Sequence, residues 1–493
     1  MKCKSRTVLV VFFCLWSQTG QANLQKINGI SAPSMPDHTS ISLSEQQSRI
    51  TLGDAIYLGL RNNRSIRSAY LQRVAQKFDL RVAEDRFKPM LVLKSSVRGA
   101  QSNDDRTRVA ELTPTASLLG EYGTRLSLGW ARQISSAERA PGLRRDGVDL
   151  AIIQPLLRGA GRDVTTAPLR QAQLSEQAQR LNLQASVSRT ITDIITAYRD
   201  LLRSQAQLGI VEEALKRGHS LLAVNQELIK AGRMAEFDAV QTQADIAAQE
   251  LGVEEAKNQL EGSRVALLQL LALDLSMPVQ ATEVLEATGL NIDRHDALRL
   301  AQVQQPEYLS MLLQGRQAEL NLVLAKDQAR WDLSLVAGAS QVTDHYDNNV
   351  GSGRRWDRYT GVQLEIPLGD RSTRQAEVHA RINLERQALD LEDARQALES
   401  QVTTVVRELG TLWRQYEIAG RAVELSLRKL EIEREKLAVG RSSNFQVISF
   451  EGDLRNAQSS RLDALIAYLN AQTRLELTLG MTLESWEIAL NDH

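Results

Sequence analysis

Cysteine is nearly absent from this chain of 493 residues, and the only two, Cys3 and Cys14, fall within its first 22 positions. From residue 23 onward there is no thiol for a disulfide or a thiolate metal site. Proline is absent after Pro367, so nothing forces a break in a helix that starts beyond it. Neither charge sign dominates: 59 Lys plus Arg face 60 Asp plus Glu, which excludes a bulk basic field for nucleic acid and an acidic tail. No stretch approaches the roughly 18 consecutive apolar residues of a transmembrane helix, so any membrane span after the N-terminus has to be made of strands.

Apolar residues at helical spacing are plentiful. From Arg371 to Gly480 the chain reads as one very long helix, a tight turn at Gly440-Arg441-Ser442-Ser443-Asn444, and a shorter helix returning from Phe445. Leu384, Ala388, Leu391, Leu398, Val402, Val405, Leu409, Leu412, Tyr416, Ala419 and Val423 alternate three- and four-residue steps, with only Arg395 out of place. That is a heptad seam. About 69 residues at 1.5 Å each make a rod of roughly 100 Å.

At the other end, residues 1–22 read as a cleaved secretory signal. Lys2, Lys4 and Arg6 precede an apolar core from Val8 to Trp16, and Gly20-Gln21-Ala22 offers small residues for cleavage. A core of about nine residues is too short to span a bilayer of about 30 Å. The bulky Phe13 before Cys14 argues against lipid attachment. Residues 23–49, with Pro33, Pro36 and many Ser and Gln, read as a flexible linker.

The remainder is a duplication. Asp54-Ala55 and Asp296-Ala297 begin matching helix patterns 242 residues apart, and the same offset carries Asp85 onto Asp327 and Leu91-x-Leu93 onto Leu333-x-Leu335. Further on, Gln154-Pro155-Leu156 answers Ile366-Pro367-Leu368; then Gly232-Arg233 answers Gly440-Arg441, Phe237 answers Phe445 and Ala272 answers Gly480. The copies span residues 50–272 and 294–482, joined by a linker at 273–293 and followed by a tail at 483–493. Each reads short helix, strand, strand, long helix, turn, short helix. The shift in offset places about 30 extra residues between the strands of the first copy and about four in its long helix.

Period-two alternation marks the strands. Val362, Leu364, Ile366 and Leu368 alternate with Gln363, Glu365 and Pro367, and Leu91, Leu93 and Val97 alternate with Lys94, Ser96 and Arg98. A greasy face opposite a polar one over about ten residues suits a tilted membrane strand, although a half-buried soluble sheet alternates in the same way. Leu126, Leu128 and Trp130 alternate too, within the extra segment near 111–132, which either joins a barrel or extends an external loop. Thr343 to Arg358, rich in Asp, Asn, Gly and Arg, has the composition of an external loop.

Two short helices of about 35 residues match one long helix end to end. One copy therefore makes a slab about 100 Å long, with strands at one end and its turn at the other. Four strands cannot close a barrel of useful bore, and open edges are not tolerated in lipid, so several copies have to close together.

In this order, Leu52-x-x-Ala55 to Asn63, Ala83 to Pro89, Gln154-Pro155-Leu156-Leu157-Arg158-Gly159, Gly232 to Ala248 and Gly440 to Ala457 resemble the TolC family of outer-membrane efflux and secretion channels. The resemblance covers nearly all of the chain after the signal. It implies a mixed α and β membrane protein: a homotrimer whose transmembrane β-barrel, about four strands per chain and twelve in all, continues into a long periplasmic α-helical barrel of coiled-coil hairpins. It implies an outer-membrane location and a passive exit duct. A periplasmic membrane-fusion adaptor and an inner-membrane transporter of a tripartite efflux pump or type I secretion system would dock at the tip turns. No catalysis or cofactor is implied.

The same resemblance places possible adaptor contacts at Gly232, Arg233, Gly440, Arg441 and Ser442. Family members often close the tunnel mouth with acidic residues six and nine positions after the second tip glycine; those places hold Gln446 and Ser449, while the first tip offers Asp238 and Gln241. A ring of Asp238 would favour cations. As a plainer alternative, Asp238 complements a helix dipole.

Other features carry little chemistry. Arg158-Gly159-Ala160-Gly161-Arg162 lacks the Lys-Ser/Thr ending of a phosphate-binding P-loop and reads as a strand-to-helix turn, with Thr166 as cap and Pro168 in the first turn. The six histidines are scattered, with no two at ligand spacing. No nucleophile motif, paired carboxylate or cofactor fingerprint marks an enzyme. The competing reading is an exported coiled-coil scaffold or adaptor without a membrane barrel, which leaves the duplicated greasy strands without a purpose.

Overall fold

The computed structural model describes residues 48–102, 105–137, 142–346, 352–369 and 371–490. The signal and nearly all of the 23–49 linker lie outside them. Element order is β1 (Ser48–Ile50), α1 (Leu52–Asn62), α2 (Arg64–Asp85), β2 (Met90–Ser102), β3 (Asp105–Leu119), β4 (Arg125–Ala137), β5 (Leu143–Pro155), α3 (Arg162–Thr165), α4 (Ala167–Lys230) and α5 (Glu236–Leu271). There follow β6 (Val279–Ala281), α6 (Arg294–Gln304), α7 (Pro306–Gln328), β7 (Asp332–Tyr346), β8 (Ser352–Glu365), α8 (Ser372–Ala438), α9 (Asn444–Leu479) and α10 (Thr482–Ser485). Among the described residues no helix is long and apolar enough to cross a membrane.

The long helices form as their seams require. Helix α8 runs unbroken for 67 residues. Leu398, Val402, Val405 and Leu409 are buried against α6 and α9, with Tyr468 and Leu475 across the seam. Lower down, Leu430 and Leu437 continue the same face onto Val447 and Leu454. Helix α4 packs on α2 and α5, and α8 on α7 and α9, so in each copy two short helices lie along one long one.

The first helix of each copy, read as continuous, is broken at Asn63 and at Gln305. These positions are equivalent at the 242-residue offset. Pro306 cannot donate to the preceding turn and the Gln305 side chain accepts from Tyr308 N at 2.8 Å; in the first copy Asn63 Oδ1 accepts from Ser65 N at 2.8 Å. The four extra residues of copy one also sit elsewhere than expected. Helix α4 has 64 residues, fewer than α8, and the surplus forms the short α3 between β5 and α4. Thr166 stands at the N-cap of α4 without capping it, its hydroxyl donating back to Arg162 O at 2.7 Å.

The sheet departs most from expectation. It contains six strands per chain, in the antiparallel order β2-β3-β4-β5-β7-β8, against the four anticipated. The segment near 111–132 is neither a loop nor a single strand. It supplies most of β3 and half of β4, a hairpin inserted between the two strands that the duplication predicted. The external loop expected from Thr343 to Arg358 is also mostly strand, since β7 runs to Tyr346 and β8 begins at Ser352.

Register assigns every side chain of the sheet to a face. Partners in succession are Leu91, Ala116, Leu128, Leu150, Ala339 and Arg358, and on an adjacent row Leu93 lies beside Pro114. This face also carries Val97, Leu112, Leu126, Trp130, Ile134, Val148, Ile152, Leu335, Val362 and Leu364, all large and exposed apart from β-sheet neighbours. The opposite face carries Lys94, Ser96, Glu111, Thr113, Ser127, Gln133, Asp149, Ser340 and Asp357. The greasy belt crosses the inserted hairpin without interruption.

At the helix end of the sheet, the β3–β4 turn docks on the glycine-rich turn after β5. Gly161 N donates to Tyr122 O at 3.3 Å, and Gly159 N to the buried Asp327 carboxylate at 2.8 Å. Gly159 and Gly161 have φ of 77° and 94°, a left-handed backbone that explains both glycines without a phosphate. The hairpin therefore spans the full height of the sheet.

The stretch 273–293, read as the linker between the copies, contains the short strand β6. Its β6 pairs with β1 in a two-stranded sheet, and two buried tyrosines pin it: Tyr198 Oη accepts from Thr282 N at 3.4 Å while donating to Ile50 O of β1 at 3.0 Å, and Tyr468 Oη donates to Thr288 O at 2.7 Å. Between the copies, Arg199 donates to Leu469 O at 2.6 Å and Thr473 Oγ1 at 2.8 Å; burial lowers its pKa to about 10.

Both short return helices, each of 36 residues, end in the left-handed region, at Ala272 (φ 53°) and Gly480 (φ 79°). Only Gly480 suits it, and a Cβ there would meet Gln304 O at 2.6 Å. Ala272→Gly is expected to raise the unfolding midpoint in detergent, by up to about 1 kcal/mol of stability, because the left-handed strain of roughly 1–2 kcal/mol outweighs the added chain entropy. Gly480→Ala is expected to lower it by more. The reverse order in a thermal scan would contradict the cap geometry.

Candidate functional site at the helix tips

Two helix turns, α4 to α5 and α8 to α9, close the end of the chain opposite the sheet. Each begins with a left-handed glycine, Gly232 at φ 68° and Gly440 at φ 76°. Gly232 N donates to Ile229 O and Arg233 N to Leu228 O, both at 2.8 Å; Gly440 N and Arg441 N repeat the pattern on Leu437 O and Lys436 O at 2.9 and 2.8 Å. This paired closure satisfies the last carbonyls of each long helix and needs φ > 0 at the glycine. After the turn, Ser443 Oγ caps α9 by accepting from Gln446 N at 3.3 Å. Helix α5 has no side-chain cap, but Glu236 and Asp238 in its first turn complement its dipole.

A buried polar cluster joins the tips. Asn225 of α4, Thr242 of α5 and Asn444 of α9 are 0%, 0% and 1% exposed. Asn225 Nδ2 donates to Thr242 Oγ1 and to Asn444 Oδ1, both at 2.8 Å, and Asn444 Nδ2 donates to the Asp238 carbonyl at 2.9 Å. One lone pair goes short, since Asn225 Oδ1 has no partner. A turn or two higher, Glu451 of α9, nearly buried, receives Arg217 of α4 at 2.9 Å and Arg434 of α8. Three helices from both copies thus converge on one carboxylate. Next to it, Asp245 accepts from Gln249 Nε2 at 2.6 Å. Its pKa is raised chiefly by burial and also by Glu451, against the pull of Gln249 and Arg455.

The tip residues named from the sequence are brought to one end of the molecule but not to one cluster. Gly232, Arg233, Gly440 and Arg441 are exposed, and the Arg233 guanidinium lies beside Gly440. Ser442 is half-buried, its hydroxyl donating to Glu433, whose pKa is lowered by that bond and by Lys436. The Asp238 side chain is half-buried on the first turn of α5, and its backbone, more than its carboxylate, ties it to the second tip. Gln241 is half-buried, whereas Gln446 and Ser449 are exposed on α9. Phe237 and Phe445, equivalent in the two copies, are 74% and 65% exposed.

Sequence reading missed the Asn225, Thr242, Asn444 and Glu451 contacts. A heptad template counts a polar residue as surface, and the partners in the other copy are far apart along the chain. The signal that could have found them is polar residues at seam positions near both turns.

Several solved structures share this architecture. The Campylobacter jejuni CmeC outer membrane channel superposes with a TM-score of 0.68 at 16% identity, covering 87% of this chain and 86% of that one. CusC, described in terms of folding and transmembrane channel formation, gives 0.67 at 17% over 91% of this chain and 97% of its own. The open-state Neisseria gonorrhoeae MtrE outer membrane channel gives 0.63 at 16% over 88% and 89%. No protein-family profile and no curated sequence matches the chain. The chain has the fold of the TolC-type outer-membrane channels.

A raised carboxylate pKa favours the fold below the unfolded value of 3.8 and loses that contribution as pH rises through the folded value. At neutral pH the Asp245 charge therefore works against the packing of the tip. Asp245→Asn is expected to raise the unfolding midpoint near neutrality and to leave it unchanged in strong acid. An equal gain across the whole range would show that burial of the charge is not the cause.

Proposed function

We propose that this protein is a passive outer-membrane exit duct serving an inner-membrane transporter of an efflux pump or type I secretion system, through a periplasmic adaptor. The observation that carries the reading is the predominantly apolar face that runs over six strands, backed by a polar face and continued by helices at one end only. Lipid outside and water inside are what that division of faces fits. An exported helical scaffold would have no use for such a belt, and among the described residues no cluster of metal-binding side chains calls for another role.

Both long edges of the sheet, β2 and β8, are unpaired within the chain. In lipid their backbone groups need partners, so copies pair edge to edge until the barrel closes. With three copies, as in the TolC-type trimer, six strands each close eighteen, six more than the resemblance alone implies. At a strand spacing of about 4.8 Å and a tilt near 40°, eighteen strands measure about 36 Å across at the backbone, against about 24 Å for twelve. The inserted β3–β4 hairpin then serves to widen the outer mouth.

The tips form the opposite, periplasmic mouth. Arg233, Arg441, Phe237 and Phe445 present charge and apolar surface to an adaptor, and Asp238 contributes a ring of carboxylates to the constriction. The Asn225–Thr242–Asn444 cluster holds the two hairpins of a subunit together there.

Purified protein is expected to run as a heat-modifiable oligomer on a gel and to give stepwise conductance in planar bilayers. Asp238→Ala is expected to change that conductance and its block by divalent cations, while leaving the oligomer intact. A soluble monomer without conductance would favour the scaffold reading. Unchanged currents in the variant would remove Asp238 from the mouth.

A further inference from the structure

Beyond the apolar belt, the outward face of the sheet is basic. Register places Arg106 and Arg108 of β3, Arg132 of β4, Arg144 of β5, and Arg354 and Arg358 of β8 on the same face as Leu93, Leu128 and Leu150. All six are exposed. Asp146, 3.7 Å from Arg132, is the one carboxylate on that face among the described strand residues. The inward face is balanced instead: Lys94, Arg98, Arg125, Arg145 and Arg355 stand with Glu111, Asp149, Asp344, Asp357 and Glu365. There Arg145 meets Asp344 at 2.7 Å and Arg355 meets Asp357 at 2.9 Å.

Height separates Arg106, Arg108 and Arg354 from the belt, whereas Arg144 stands at its upper margin beside Ile134, and Arg132 and Arg358 stand within its upper part beside Leu112 and Ala339. Arg132 is seven residues from the helix-side start of β4 at Arg125, and Arg358 is seven from the end of β8 at Glu365. Arg108, Arg144 and Arg354 are eleven from Leu119, Pro155 and Glu365. At about 3.3 Å per residue and a tilt near 40°, these levels are about 18 and 28 Å up, around the far edge of a lipid-facing band about 25 Å tall. Long arginine stems reach outward from the lower level to that edge.

We propose that this rim is a binding surface for the phosphate groups of anionic lipid headgroups in the outer leaflet. The inference rests on the membrane-spanning reading of the sheet. Charge complementarity and continuity with the apolar belt point to a lipid occupant: acyl chains lie along Leu128 and Leu150 while the guanidinium forks meet phosphate oxygens above them. Closure of several copies repeats the set around the barrel and brings Arg354 and Arg358 of the β8 edge next to a neighbouring subunit's β2 edge.

The test uses the full-length oligomer in neutral detergent, with bis-phosphorylated lipid A, its dephosphorylated form or inorganic phosphate added, and reads the temperature at which the oligomer dissociates. The phosphorylated lipid is expected to raise it by several degrees, the dephosphorylated lipid by much less, and free phosphate not at all. The combined variant R108Q/R144Q/R354Q/R358Q is expected to lose most of the gain. Equal gains from both lipids, or an undiminished gain in a folded variant, would overturn the proposal. If the variant fails to assemble, the comparison of lipids on the unaltered protein still decides. Failure to enter membranes at all would instead sink the duct reading itself.

Discussion

Backbone hydrogen bonding in lipid is the constraint on which the rest depends. A strand in hydrocarbon has no water to take up its unpaired N–H and C=O groups, and each costs several kcal/mol. The chain makes a sheet with two open edges and a greasy outer face, a state that is not stable alone in a membrane. With the sheet spanning lipid, as proposed, assembly is part of folding for this protein. On that proposal the mixed character of the molecule follows: the sheet closes between subunits, whereas the helices satisfy their own backbones and can stand in water as a long wall.

That wall holds by packing along its length and by polar specificity at its tip. Seams of Leu, Val and Ala run the length of α4 and α8, and such contacts stabilise without fixing register strongly. Register is fixed where Asn225, Thr242 and Asn444 exchange hydrogen bonds and where Arg217 and Arg434 share Glu451. A slip by one turn would strand these groups without partners, at a cost of about 1–3 kcal/mol for each neutral one. The same groups are the ones that have to part if the mouth opens. On the proposed reading of the tips as a mouth, closure and opening depend on one set of contacts, with the charge on Asp245 loosening it.

Much of this was legible in the sequence, for physical reasons that also explain the failures. The three-four spacing of Leu398, Val402, Val405 and Leu409 reports burial directly, and the offsets relating Asp54 to Asp296 and Gly232 to Gly440 survive because each copy repeats the same helix starts and ends. Strand β3 escaped because Pro114 sits at its centre and its outward side reads Leu112, Pro114, Ala116, a weak alternation. The stretch 343–358 passed for a loop because both faces of β7 and β8 turn polar there, and Arg354 and Asp357 look alike to a composition rule. The tip contacts between the copies were invisible because they join residues more than 200 positions apart, as Asn225 and Asn444 are.

The central claim is that the inserted hairpin is barrel wall, with lipid on one side and water on the other. Residues from 23 onward contain no cysteine, so single cysteines can carry nitroxide spin labels without background. The deciding measurement is a scan of residues 126–131 in the protein reconstituted into vesicles, comparing collision with oxygen and with a water-soluble nickel chelate. Labels at 126, 128 and 130 are predicted to favour oxygen and those at 127, 129 and 131 to favour nickel, alternating residue by residue. Uniform access to nickel along all six positions would place the hairpin in water and contradict the account.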